Sequence, residues 1–249
     1  MQLRSPRQLL KKGRLAVTAP TNFGYCEICR GRTLFVETES NLREGYRCLR
    51  CGTRPRHRAL IHVLNERYPE WRTMDVLECG MGGPTTRLFR REVPGYVGSR
   101  FVPDVAPGSP IRGGTCQNLE ALSFGDASFD LVVTQDVMEH VLRPDRAVKE
   151  VARVLRPGGA FVFTVPIYHG RTSVVRVAAS EAGPICLLPE EFHGEPGDPA
   201  RSLVVTEWGD DLPEFIDAAS PLTTELVDPT NRHLGLDGPM IDIVVSAKR

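Results

Sequence analysis

The spacing with the clearest chemical consequence is Cys26-x-x-Cys29 followed, after 18 intervening residues, by Cys48-x-x-Cys51. Two thiolates three positions apart on a tight turn point the same way. Two such turns facing one another offer a tetrahedral set of four sulfurs. Such a set suits zinc, and iron in a rubredoxin-like site is the alternative. Nothing else in the chain suggests redox work, so Zn2+ is the expectation. Four thiolates close the coordination shell and leave no position for a substrate, so the expected role is structural. A segment this short also has too little core to fold without the ion. Gly31 and Gly52 stand near the second cysteine of each pair, where the turn needs a positive φ. Thr33–Thr38 and Gly45–Arg47 read as the hairpin strands between the knuckles.

A second signal is Glu78-Cys79-Gly80-Met81-Gly82-Gly83, which closes the short apolar run Met74–Cys79. Glycines there let backbone approach a ligand closely and open a helix. A dinucleotide site wants a further glycine three positions on, where the chain has Thr85. A second strand ends at Ser99-Arg100, and an arginine at that point suits a 2′-phosphate. An NADP-dependent reductase is therefore kept as a rival reading. The cluster Arg54-Pro55-Arg56-His57-Arg58 reads in two ways. It grips a phosphate or carboxylate, or it is the solvated first turn of a helix over Ala59–Tyr68, where Leu60, Val63 and Leu64 have helical spacing. Cys79 and Cys186 read as small packing residues.

These residues need elements to position them. From residue 73 onward strand-like and helix-like segments alternate. Pro84–Arg91 reads as helix, Tyr96–Ser99 as strand and Phe129–Thr134 as a buried strand. Asp145–Leu155 reads as an amphipathic helix on Val148, Val151, Ala152 and Leu155, stopped by Pro157-Gly158-Gly159, with Ala160–Pro166 as the next strand. Ile241, Ile243 and Val245 alternate with polar neighbours, as in a last strand near a sheet edge. The pattern predicts an α/β class, a Rossmann-like doubly wound sheet with a small N-terminal zinc ribbon. Ligands in such sheets bind beyond the carboxyl ends of the strands.

Composition is that of an ordinary globular chain: 249 residues, 41% hydrophobic, 25% charged, which excludes disorder throughout. The largely apolar stretch Ala160–Ile167 is far shorter than the roughly 20 residues of a membrane helix. Charged residues interrupt the N-terminus, so no signal-peptide core is expected and a cytoplasmic location is the default. Seven cysteines, an odd number, argue against a disulfide framework. Basic and acidic residues balance at 31 each, but the front is basic and the remainder acidic. That asymmetry either marks an anionic partner for the front or reflects an arginine-, glycine- and proline-rich source.

Three stretches carry a resemblance: Phe124 to Thr134, Asp136-Val137-Met138-Glu139-His140-Val141, and Arg153-Val154-Leu155-Arg156-Pro157-Gly158-Gly159. Together they resemble class I S-adenosylmethionine-dependent methyltransferases over about residues 73–170. With a four-cysteine ribbon in front, the chain is similar to a group of bacterial methyltransferases. The resemblance implies that Glu78, Gly80 and Gly82 line the methionine part of S-adenosylmethionine. Gln117, Asn118 and Leu119 fall at the adenine turn, with Asn118 where the family usually has Asp. Gln135 and Asp136 flank the sulfonium side. Arg100 departs from the usual acidic ribose ligand, and Asp104 is a substitute four residues on.

Methyl transfer from a sulfonium is an in-line displacement, and an oxygen or nitrogen acceptor needs a base. The candidate bases are His193, His140 and His169. His193 lies in Pro189 to Pro196, which resembles a P-E-[YF]-H-G-[DNE]-P stretch of the ribbon-bearing group. The bland readings are a loop-orienting hydrogen bond for His140 and simple loop exposure for His169. Tyr168 and Arg171 are plausible acceptor contacts. The expected organisation is a ribbon with N-terminal arm over 1–55, a linking helix over 56–72, and a methyltransferase domain over 73–249 with an acceptor lid at about 168–202. The expected activity is O- or N-methylation of a small molecule, a sugar or secondary metabolite, in biosynthesis. Rivals are an RNA methyltransferase using the basic ribbon, the reductase, and a non-catalytic scaffold. Phe23, Tyr25, Phe35 and Tyr46 are the ribbon's few aromatics, and read as core they leave no stacking surface for RNA. No membrane partner is expected.

Overall fold

The protein is described here by a computed structural model covering residues 21–193 and 202–248. The expected N-terminal arm up to residue 20, and residues 194–201 of the expected lid, lie outside the described residues.

The chain first forms an antiparallel sheet of β1 (Thr21–Cys26), β2 (Gly31–Glu37) and β3 (Tyr46–Cys48). Cys26 pairs with Gly31, and Cys48 with Phe35, so both knuckles lie toward the same end of the sheet. Gly45–Arg47 is therefore corrected to Tyr46–Cys48. Leu42–Gly45 is a helical turn, and the Asn41 side chain accepts from the Arg43 N–H at its start. Strand β1 carried no clear alternation and was not expected. Gly52 has the anticipated φ of +73°, but in the first knuckle the left-handed residue is Arg30 (φ 50°) rather than Gly31.

Helix α1 (Pro55–Arg67) follows. It ends before the expected residue 72, and Trp71–Thr73 is a separate single turn. Nor is α1 a mere linker. Leu60, Ile61 and Leu64 are fully buried, in one cluster with Val76, Leu131 and Val162 of the main sheet and with Phe35 and Tyr46 of the ribbon. Burying each such side chain contributes about 1.5–3 kcal/mol. The ribbon therefore shares a core with the domain behind it.

The remaining elements are β4 (Asp75–Cys79), α2 (Pro84–Glu92), β5 (Gly95–Arg100), β6 (Pro110–Ile111), β7 (Gly114–Cys116), β8 (Phe129–Gln135), α3 (Pro144–Val154) and β9 (Leu155–Thr164). Short strands follow: β10 (Val174–Val175), β11 (Val177–Ser180), β12 (Gly183–Cys186), β13 (Phe192–His193), β14 (Ser202–Leu203) and β15 (Thr206–Glu207). Then come α4 (Leu212–Ala219), β16 (Leu222–Val227) and β17 (Ile243–Lys248). Each of the four helices has proline in its first turn, where the missing N–H costs nothing.

The main sheet has the order β16-β17-β9-β8-β4-β5-β7-β6. It is parallel from β9 through β7 and antiparallel at both margins. Successive residues alternate between two cores. Val76, Leu131, Val133 and Val162 face α1 and α2. Leu77, Val132, Phe161 and Phe163 face α3 and α4. The doubly wound expectation holds, with one correction. Pro157-Gly158-Gly159 does not precede the strand but lies within β9, because α3 already ends at Val154. The strand containing Ile243 and Val245 is the last one and lies near an edge as expected: β17 sits between β9 and the edge strand β16. Ile243, Val244 and Val245 are all buried, which an edge strand would not require. Among the described residues the lid region holds three two-stranded pairs, β10 with β15, β11 with β12 and β13 with β14.

Candidate functional site

The four cysteine sulfurs converge. All lie within 4.8 Å of one another, with Cys26 to Cys51 at 3.7 Å and Cys29 to Cys48 at 3.9 Å. Four sulfurs at about 2.3 Å from a tetrahedral ion stand ~3.8 Å apart, so the set already has that geometry. The Thr33 hydroxyl accepts from Cys48 Sγ, and the Thr53 hydroxyl lies 3.1 Å from Cys51 Sγ. The other cysteines stand apart. Cys79 is buried, as expected of a packing residue, but Cys186 is exposed in β12.

Two adjoining cavities open at the carboxyl end of the parallel strands. The first, about 750 Å³, is lined by Gly80, Arg100, Gln117, Asn118, Leu119 and Val137, among others. Gly80 has φ +93°, and a Cβ there would stand 2.8 Å from Val137 Cγ2. The turn thus brings bare backbone to the cavity wall. Glu78 and Gly82 do not line the cavity. The Glu78 carboxylate is buried and accepts from Tyr96 Oη (2.6 Å) and Thr86 Oγ1 (3.0 Å), while Thr86 Oγ1 in turn accepts from Gly82 N (2.8 Å). Burial raises the Glu78 pKa against the lowering effect of these donors. Its work is to hold the glycine turn in shape.

Gln117 is spent on its own turn, donating to Ser123 Oγ and accepting from Ser123 N. Asn118 Oδ1 accepts from Glu120 N, which presents the loop edge to the cavity. Arg100 lines the cavity where an acid was usual, and Asp104, at φ 62°, does not line it.

The second cavity, about 550 Å³, lies between the ribbon and the main sheet. Arg43, Arg54 and Arg56 reach it from the ribbon side, and Gln135, Glu139, Tyr168 and His193 from the domain. Asp136, His140 and Ser202 line both cavities. Asp136 sits at φ 52° just beyond β8. It accepts from Arg43 Nη2 (2.5 Å), Arg43 Nη1 (2.9 Å) and Thr164 Oγ1 (2.9 Å), and pairs with Arg56 Nη1 at 2.9 Å. Burial would raise its pKa, but the two guanidiniums hold it well below the usual carboxylate range. Gln135 donates to Thr85 Oγ1 at 2.5 Å.

Glu139 is 2% exposed, and both of its carboxylate oxygens lack a hydrogen-bond partner among the described residues. Burial first, and then the Asp136 charge, push its pKa up to about 8. Its Oε1 faces His140 Nε2 at 3.8 Å and His193 Nδ1 at 3.9 Å. The two imidazole rings meet edge to face, 5.5 Å between centroids. His140 Nδ1–H donates to the Leu203 carbonyl at 2.9 Å, which leaves Nε2 as the unprotonated nitrogen of the neutral ring. Burial lowers the His140 pKa.

Two of the three candidate histidines therefore share one cavity. His169 lines neither. It lies between Asp210 (2.8 Å) and Asp242 (3.1 Å), which raise its pKa. Sequence reasoning assigned no role to Arg43 or Glu139. The acid directly before His140 was a legible hint of the second; nothing local marked the first.

The arginine cluster divides. Arg58 is 1% exposed and donates to the carbonyls of Tyr46 (3.0 Å), Gly235 (2.6 Å) and Leu234 (3.2 Å) with its charge over the Phe35 ring, so it ties the ribbon to the C-terminal loop. Arg54 and Arg56 pair with Glu44 at the cavity rim. Of the ribbon aromatics, Phe35 and Tyr46 are core and Phe23 and Tyr25 are exposed. Among the described residues no helix is long and apolar enough to cross a membrane.

Comparison with known proteins adds four likenesses. Residues 78–163 match the methyltransferase domain family. An uncharacterized methyltransferase of Mycolicibacterium gilvum is 35% identical over 107 residues, covering 40% of this chain and 42% of that one. A ubiquinone biosynthesis O-methyltransferase of Coxiella burnetii is 26% identical over 95 residues, covering 38% of this chain and 40% of that one. The chain thus spans about two fifths of the length of these curated relatives. Among solved structures, the YcgJ protein of Bacillus subtilis superposes with a TM-score of 0.51 at 15% identity, over 78% of this chain and 99% of that one.

Proposed function

We propose that this chain, whose residues 78–163 match the methyltransferase domain family, is a class I S-adenosylmethionine-dependent enzyme that methylates an oxygen or nitrogen of a small molecule held in the second cavity. The observation that carries the reading is the wall shared by the two cavities: Asp136, His140 and Ser202 face both. A donor in one and an acceptor in the other meet across that wall.

The first cavity fits the donor. Gly80 presents backbone without a side chain, Leu119 and Val137 supply apolar walls, and Arg100 lines the same cavity at the end of β5. When bound, S-adenosylmethionine supplies an electrophilic methyl group on sulfur and leaves as S-adenosylhomocysteine with the bonding electron pair. The chain's own part is alignment, exclusion of water and the acceptor proton. The Glu139, His140 and His193 cluster is the machinery for that proton. His169, held by two aspartates outside both cavities, takes no part.

The ribbon to residue 55, the helix after it and the domain from 73 act as one body, since Arg43, Arg54 and Arg56 complete the acceptor cavity. The four-sulfur set takes structural Zn2+, whose closed shell holds those arginines in place. The strand pairs between residues 174 and 207 form the acceptor's cover. The mixed rim of Arg54, Arg56, Glu44 and Glu39 suits a small polar acceptor better than a polyanion.

Calorimetry on the purified chain tests the reading. S-adenosylmethionine is expected to bind and NADPH not. Binding of NADPH alone, or of neither, overturns it. Turnover of a nucleic acid with affinity falling steeply in salt would move the acceptor to RNA.

A further inference from the structure

The cluster behind the acceptor cavity has the makings of a second metal site. Its centre is a carboxylate that is fully enclosed yet has no hydrogen-bond donor among the described residues. An enclosed anion without a partner costs several kcal/mol. Asp136 nearby makes it worse, and the arginines that could relieve Glu139 are already committed to Asp136 and Glu44. The groups that do face Glu139 are two imidazole nitrogens, at 3.8 and 3.9 Å. Those distances are too long for hydrogen bonds. They are close to the ~3.0–3.5 Å between neighbouring nitrogen and oxygen ligands on one ion with bonds of about 2.0–2.2 Å. One ligand atom from each of the three residues lies within 4.8 Å of the others.

The surroundings point the same way. His140 Nδ1–H is tied to the Leu203 carbonyl, which turns the lone pair of Nε2 toward Glu139. His193 presents Nδ1 to Glu139 while its Nε2 faces the Glu191 carboxylate at 3.9 Å. Ligand histidines are held as His140 is, with the far nitrogen hydrogen-bonded to a carbonyl or a carboxylate.

We propose that Glu139, His140 and His193 bind one divalent cation of the Zn2+ or Mn2+ type. Two imidazoles and a carboxylate suit such ions and fill only three positions. All three residues line the acceptor cavity, so the remaining ligands would come from it. This deepens the proposed function and rests on it for one step only. An acceptor hydroxyl bound to the cation loses its proton to solvent, the new O–CH3 bond forms as the S–CH3 bond breaks, and the electron pair of that bond leaves on sulfur. The cation makes the hydroxyl acidic enough for this at neutral pH.

The test is metal binding by the full chain, stripped of labile metal with its ribbon zinc retained and counted. Mn2+, which has little affinity for a four-thiolate site, is titrated by electron paramagnetic resonance, and Zn2+ is titrated by elemental analysis for a second equivalent. One ion per chain beyond the ribbon's is expected. His193→Ala, a change at a surface strand, and Glu139→Gln should each weaken it at least about tenfold. Water-proton relaxation on bound Mn2+ should be enhanced, reporting open positions. Failure of both ions to bind, or binding unchanged in a folded His193→Ala protein, overturns the site. S-adenosylmethionine calorimetry on the same samples separates the two readings. Donor binding without the cation sinks only this inference, and cation binding without donor binding sinks only the proposed function.

Discussion

Arg43, in the ribbon, clasps Asp136, just past β8, with both terminal nitrogens, at 2.5 and 2.9 Å, across 93 residues of sequence. Only 8% and 17% of the two side chains are exposed. The clasp joins the four-cysteine module to the wall shared by the two cavities.

Removing the guanidinium strands an enclosed carboxylate. Arg43→Ala is expected to cost about 3 kcal/mol, the low end for a broken buried pair because Arg56 remains beside Asp136. Denaturant unfolding measures it. A double-mutant cycle with Asp136→Asn should recover part of the loss, and strictly additive losses would show that the pair is not coupled.

Cys48→Ser should release the ribbon metal, read by elemental analysis, and free Arg43, Arg54 and Arg56 from the acceptor cavity. Acceptor turnover is expected to collapse while S-adenosylmethionine still binds at the Gly80 turn. Loss of both together in a protein with intact main-sheet circular dichroism would show that the donor site also depends on the ribbon.

Gly80→Ala puts a Cβ at a φ of +93° and 2.8 Å from Val137 Cγ2. Strain of about 1–3 kcal/mol at that turn predicts donor affinity weaker by ~10–100-fold with the fold retained. Calorimetry of the variant decides it, and unchanged affinity would remove the turn from the donor site.

His193→Ala, which removes one of the three residues that handle the acceptor proton through the bound cation, is expected to slow methyl transfer roughly 10²–10⁴-fold with donor affinity unchanged. Single-turnover kinetics with saturating donor make the measurement. His169→Ala should leave transfer as it is.

His169 has a pH signature of its own. Its pairs with Asp210 and Asp242 raise its pKa above the ordinary 6.5. A histidine raised on folding lends stability that is complete below about pH 6.5 and fades as pH climbs through the folded value. The Tm gap between wild type and His169→Ala should be widest near pH 6 and close by pH 9. A gap independent of pH would mean the ring acts by packing alone.

The four-sulfur cluster, the glycine turn and the order of strands and helices from 75 to 164 were legible because each rests on local spacing or on periodicity within a few residues. The misreadings have equally specific causes. Pro157-Gly158-Gly159 is a helix-stopping pattern that here opens a strand, since α3 had already ended. Ile243 and Val245 read as a strand near an edge, and β17 is one strand in; α1 buries them from one face and β16 flanks them as the edge, and β16 was not recognised.

From its residues alone the chain dictates a four-sulfur cluster, a glycine-lined crevice and an alternating α/β order, because these follow from thiolate spacing, backbone freedom and apolar period. Which side chains complete the second cavity was decided only when the ribbon packed on the sheet through α1. Arg43 meets Asp136, and Glu139 loses water and comes to face His193, through contacts between residues 50 to 90 positions apart. Charge and burial act through space, so their consequences for these residues exist only once the chain has closed.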